Sequence, residues 1–176
     1  MVKIMKFLAY TLFFILALIA FLPKENLFFL LEKELAKQEV FISNEVIATA
    51  PFSMQIEDAF VSYKGIEAAK IKKTELLFLL FYNEIVLNNI ELVSLVRNYW
   101  PSKVESVVIH YSVVNPLKIK TEAKGEFGEI EAQYLLSESK VRVVLKPSKL
   151  LLSRYRRTLR YFKKLQTGEY IYEKAL

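Results

Sequence analysis

From Phe7 to Leu22 the chain reads FLAYTLFFILALIAFL, with no charged residue between Lys6 and the Pro23-Lys24-Glu25 that follows. At about 1.5 Å per helical residue this stretch spans about 24 Å, somewhat less than the ~30 Å hydrocarbon layer of a bilayer. Ile4 and Met5 lengthen the apolar column, and Lys3 and Lys6 can reach back to the headgroups. The stretch is therefore expected to be an N-terminal transmembrane signal anchor over residues 1–23. A cleaved signal peptide is the first alternative: Ala20 suits a cleavage site, whereas Leu18 occupies a position that wants a small side chain. A buried core helix is the second. The basic N-terminal flank places that end in the cytoplasm and everything after Pro23 on the other side.

Residues 24–176 are enough for one domain with its own core. The chain has no cysteine and a single histidine, His110, so disulfides, thiolate sites and histidine-based metal clusters are excluded within one chain. The net charge of +6 is unevenly spread: from Lys140 onward eleven Lys/Arg face only Glu169 and Glu173, a local +9 that leaves −3 for the first 139 residues. Such asymmetry points to an acidic partner or surface at the C-terminal segment.

Pro23 is expected to open a short helix from Lys24 to Gln38, with Leu27, Leu31 and Leu35 at four-residue spacing beside Phe28, Phe29 and Leu30. That face wants either the membrane surface or the end of a β-structure. From Val40 the period changes to two: Val40, Ile42, Asn44 and Val46 share one side of a strand, and Phe52, Met54 and Ile56 form the next apolar face, ending near Tyr63-Lys64-Gly65. Ile66 to Thr74 follows, then Leu76 to Tyr82, which fits a buried strand or two helical turns equally. Glu84–Leu92 reads as a strand and Val93–Trp100 as a short helix or loop before Pro101. Val104–Val114, the alternation Leu117, Ile119, Thr121, Ala123, the returning Ile130, Ala132, Tyr134, Leu136, and Val141, Val143, Leu145 make an antiparallel meander with one wet face. Ser148 is expected to cap a basic helix running over about 148–165, which Gly168 would stop. Glu169 to Leu176 fits a last edge strand or a frayed tail.

Little in this chain serves catalysis. The four glycines cannot form a phosphate-binding loop, and no serine, lysine and carboxylate spacing resembles a nucleophilic site. Glu126, Glu129 and Glu131 cluster near a turn, an ordinary place for solvated carboxylates. His110 is expected to be a strand residue. The reading is thus not an enzyme, with no cofactor and no metal site. The basic helix has three readings: a solvated face, a contact with anionic lipid, or a contact with an acidic protein or nucleic acid, the last disfavoured outside the cytoplasm. Its candidate membrane or partner contacts are Arg154, Arg157, Arg160, Lys163 and Lys164.

The order of apolar anchor, Pro23-Lys24-Glu25-Asn26-Leu27, a strand ending in Ser43-Asn44, then Phe52 to Ala59 and a strand leading to Leu76-Leu77 resembles type II secretion system protein N and the AsmA-like group of inner-membrane-anchored periplasmic proteins. The resemblance covers residues 7–95 and, loosely, the meander. It implies an α+β protein: a single N-terminal transmembrane helix followed by a curved antiparallel, β-groove-like sheet with flanking helices. It further implies a single-pass protein of the bacterial inner membrane, N-terminus cytoplasmic and main domain periplasmic. The implied role is an accessory or scaffolding component of a type II secretion-like, pilus or DNA-uptake system, in contact with other membrane proteins of that machinery. The alternative it implies is a membrane-tethered groove that binds or transfers phospholipid. The basic C-terminal segment lies outside the family's pattern.

Overall fold

The computed structural model describes residues 2–79, 81–93 and 100–175. Helix α1, Val2–Ala20, is the apolar stretch. Its window Lys3–Ala20 has a mean hydropathy of 1.9 with only 6% of it buried, so it is long and apolar enough to cross a membrane and is not a core helix of this domain. Helix α2, Lys24–Ala36, follows after Pro23. The junction is held by Lys24, 4% exposed, whose Nζ donates to the carbonyls of Ile19, Ala20 and Leu22 at 3.4, 3.3 and 3.4 Å. Two of these carbonyls are the last of α1 and the third lies just beyond it, so the ammonium sits at the negative end of the helix dipole, where carbonyls run short of backbone donors.

The rest is a curved, open antiparallel sheet of eleven strands among the described residues: β1 Val40–Ser43, β2 Val46–Thr49, β3 Ser53–Tyr63, β4 Ile66–Phe78, β5 Tyr82–Leu92, β6 Lys103–Ser112, β7 Lys118–Gly125, β8 Gly128–Leu135, β9 Lys140–Pro147, β10 Lys163–Lys164 and β11 Tyr170–Ala175. From β3 to β9 each strand pairs with the next, a plain meander; β11 then pairs with β9, and β10 lies outside β11. The ambiguous run after Thr74 is thus the end of one strand and, from Tyr82, the start of another. Residues 94–99, most of the expected helix or loop before Pro101, lie outside the described residues.

Several expectations are corrected. Val40 to Val46 is not one strand: Asn44 takes φ +63, breaking it into β1 and β2, both paired to β3. The alternation slips there, so Val46 faces out and Ile47 packs inward. Of the expected apolar face of α2 only Phe28 is buried, against Met54, Ile56, Ala59 and Leu76, while Leu27, Phe29, Leu30 and Leu31 are exposed. The C-terminal segment does not fold as one helix over 148–165. Ser148 does cap α3, accepting from the Leu151 N–H at 3.1 Å, but α3 covers only Lys149–Arg154, and a 3-10 turn at Thr158–Tyr161 follows. A continuous helix would stack Arg154 on Arg157 and Arg156 on Arg160, like charges three and four residues apart. The tail is β11, internal to the sheet rather than an edge or frayed.

Opposed residues in an antiparallel sheet share a face, so the register shows what each face carries. Ile56, Thr74, Leu87, Val107, Ala123, Ile130, Leu145 and Tyr170 form one row across eight strands, and Met54, Leu76, Ile85, Ile109, Thr121, Ala132, Val143 and Tyr172 the next. At one level this alternation slips together in four neighbouring strands: Asp58, Lys72, Asn89 and Glu105 fall out of the pairing, with φ +53 at both Asp58 and Asn89. Beyond that line the same face stays apolar through Ala59, Ala69, Ile90 and Val104. An aligned irregularity of this kind bends a sheet, and Asp and Asn are the side chains that best tolerate the left-handed conformation.

Candidate functional site

The apolar face is covered at two places only among the described residues. Near the β1 edge, Phe28 of α2 seals a cluster of Met54, Ile56, Ala59 and Leu76. At the diagonally opposite corner Leu151, Tyr155 and Leu159, spaced by four, pack with Phe127, Leu145, Val104 and Ile90, and Trp100 stacks at 5.4 Å from the Phe127 ring. Between them Ile85, Ile109, Thr121, Ala132 and Val143, with Tyr111, Ile119, Tyr134 and Val141 alongside, are half-buried and carry no covering element. This is an open apolar trough on the curved sheet. The other face is wet and laced with cross-strand ion pairs: Lys124–Glu129 at 3.3 Å, Lys146–Glu131 at 3.0 Å, Lys140–Glu173 at 3.4 Å and Arg142–Glu173 at 3.3 Å. Glu129 and Glu131 are spent in that ladder, and Glu126 accepts from the Lys103 N–H at 3.3 Å.

His110 also lies on the wet face. Tyr82 Oη donates to Glu84 Oε2 at 2.6 Å and lies 2.7 Å from His110 Nδ1, which is itself 3.1 Å from Glu84. With its one proton given to Glu84, the Tyr82 hydroxyl is left to accept from His110 Nδ1–H. The hydrogen bond to Glu84, then partial burial, then the negative charges of Glu84 and Glu122 raise the Tyr82 pKa above the ordinary phenol value. A folded-state pKa raised in this way contributes stability that is full below about pH 10 and is lost as pH climbs through the higher folded value. The Tyr82→Phe variant is expected to lose less stability than the parent above about pH 10, measured by urea unfolding across the alkaline range. Lys73 and Lys146, raised by their hydrogen bonds to Glu75 and Glu131, titrate in the same sense and persist in the variant.

The second feature is cationic. No carboxylate occurs between Glu138 and Glu169. Arg154, Arg156, Arg157 and Arg160 are exposed and form no ion pair among the described residues, in contrast to the paired cations of the sheet; Arg154 lies over the Tyr155 ring at 5.8 Å. They line two adjoining clefts, one of about 720 Å³ with Tyr161 and one of about 460 Å³ with Tyr170. Of the residues singled out in the sequence, Arg154, Arg157 and Arg160 are brought together. Lys163 and Lys164 are not: they lie on β10, paired with Ile171 and Tyr170 at the sheet edge. Arg156 and Tyr161 belong to the cleft and escape a helical-face reading, because the helix breaks at Tyr155 and turns them toward the same side as the others. Planar guanidinium groups at this spacing suit carboxylate or phosphate oxygens.

A third polar feature is the pair Glu32 and Glu45, where α2 crosses the β1–β2 link. Burial, and then the charge of Glu45, raises the Glu32 pKa, and Glu45 Oε2 is buried without a hydrogen-bond partner among the described residues.

No protein-family model, curated protein or solved structure matches the chain.

Proposed function

We propose that this chain is a membrane-tethered protein whose curved sheet receives the acyl chains of a lipid along its open apolar face. One observation carries the reading: of the largely apolar rows in register across eight strands, the one through Leu87, Val107, Ala123 and Ile130 packs against the α3 cluster, whereas the next, through Ile109, Thr121, Ala132 and Val143, has no covering element. Half-buried apolar surface of this extent gains by being covered, at roughly 25 cal/mol per Å². A chain of methylenes lying across the strands is complementary to it, and the wet opposite face keeps the sheet single-layered. The anchor α1 holds the trough beside its ligand's source, with the N-terminus cytoplasmic and the sheet on the far side of a bacterial inner membrane. Full-length protein extracted in mild detergent should carry phospholipid, read by native mass spectrometry, and a photo-crosslinking residue at Ile109 should capture acyl chains. Lipid-free protein with no capture at position 109 overturns the reading.

The arginine cleft favours a second role, that of an accessory component that meets an acidic partner, such as another membrane protein of a type II secretion-like assembly. The cleft is at the sheet corner diagonal to the anchor, roughly 35 Å along the strands and a similar distance across them, away from the point where the chain leaves α1. Replacing Arg156, Arg157 and Arg160 together by serine is expected to remove inner-membrane proteins that co-purify with the chain, and raising salt from about 0.1 to 0.5 M to weaken the same association in the parent. Undiminished co-purification in both arms excludes the cleft as the contact.

A further inference from the structure

The chain leaves α1 where Ala20, Leu22 and Pro23 line one cleft with Thr49, Ala50 and Pro51, the turn that leads into β3. Because the strands alternate in direction, the β4–β5, β6–β7 and β8–β9 connections come to that same end of the sheet. Exposed apolar side chains crown these connections, Leu79 39%, Phe81 63%, Val113 48%, Val114 85%, Leu117 55% and Leu136 40% exposed, the last beside the polar Ser137-Glu138-Ser139. Neither 79–81 nor 113–117 contains a charged residue. At the other end apolar exposure is more scattered: Tyr63 and Ile66, 50% and 52% exposed, flank the polar Lys64-Gly65 turn, and Phe127 of the β7–β8 turn is 2% exposed. A run of exposed apolar side chains along one end of a sheet, next to an apolar helix, marks a contact surface.

We infer that this rim, together with the exposed Leu27, Phe29 and Leu30 of α2, seats in the headgroup–acyl boundary of the membrane that α1 enters. The occupant is a lipid surface because the rim is continuous with the anchor: α1 ends, α2 begins and three of the strand connections converge at one end of the fold. Aromatic and aliphatic tips are the side chains that interfacial contacts use, and Lys118 and Lys120, just behind Leu117, are placed to meet lipid phosphates. Seated so, the trough opens directly onto the leaflet. The inference rests on the membrane reading of α1 and is independent of whether the trough holds lipid.

The cysteine-free sequence allows a direct test. Full-length chains carrying Phe14→Cys, Val114→Cys or Lys64→Cys are labelled with an environment-sensitive fluorophore and reconstituted in phosphatidylcholine–phosphatidylglycerol vesicles, with lipid spin-labelled near the headgroup to read positions 64 and 114, with lipid spin-labelled midway along the acyl chain to read position 14, and with unlabelled lipid. Positions 64 and 114 are both exposed, so the labels leave the fold intact. Quenching at position 114 is expected to be at least about threefold that at 64, with a blue-shifted emission. Quenching at 14 with 114 no different from 64 overturns the rim contact and keeps the anchor. Absence of quenching at 14 removes the anchor and the rim contact together. Acyl-chain capture at Ile109 is measured separately, so its failure leaves this result standing.

Discussion

Replacing Phe127 with alanine is expected to destabilise the domain by about 3–5 kcal/mol, the range for a large aromatic removed from a packed core. Phe127 is 2% exposed although it sits in a two-residue hairpin turn, where solvent exposure is the rule. The turn is bent inward. Its ring meets Trp100, and the Phe127 carbonyl accepts from the Ser148 N–H at 2.8 Å, tying the hairpin to the start of α3. Gly128 makes the approach feasible: at φ +110 a Cβ there would collide with the Lys146 carbonyl. Phe81→Ala, in a turn of the opposite end and 63% exposed, is the matched control and should change stability by less than about 0.5 kcal/mol. Urea midpoints of the two variants decide the matter; equal midpoints would mean that the corner cluster under α3 is not the core described above.

The Ile109→Glu variant is expected to lose bound phospholipid by at least about tenfold while remaining folded, since a carboxylate in the path of an acyl chain must be desolvated without a partner. Ile109 lies mid-trough, opposite Ile85 on one side and Thr121 on the other. Ser106→Glu puts the same charge on the same strand but on the wet face, opposite Asn88 and Lys124, and should leave lipid content unchanged. Lipid per protein from extracts of the three chains checks both. Equal loss in the two variants would show a general effect of charge, and retention in Ile109→Glu would place the lipid elsewhere.

The meander from β6 to β9 was legible because residues such as Ile119, Thr121 and Ala123 alternate strictly with lysines and glutamates, a period set by one dry and one wet face. The earlier strands were read less well for a local reason. Asn44, Asp58 and Asn89 each adopt positive φ within or between strands, and each turns the following side chains to the other face. Period counting has no term for a slip that neighbouring strands share. The basic segment misled in the opposite way: Leu151, Tyr155 and Leu159 keep helical spacing because they cover one patch of the core, though the backbone between them is a short helix followed by a tighter turn. The trough was visible only as apolar strand faces. Its openness depends on which elements return to cover it, and Leu27, Leu30 and Leu31, the side chains most expected to do so, point elsewhere.

The ammonium of Lys24, held on the carbonyls of Ile19, Ala20 and Leu22 where α1 ends, has a consequence for how the domain explores its surroundings. A flexible tether would let the sheet sample a wide volume around its attachment point, diluting any encounter with the surface below it. Here the link between α1 and α2 is short, residues 21–23, and its neighbour Lys24 is fastened backward, which narrows the orientations the domain can take relative to α1. With α1 in a membrane, as proposed, the sheet end would meet that surface at a high local concentration set by the hinge as well as by the strength of the surface contact.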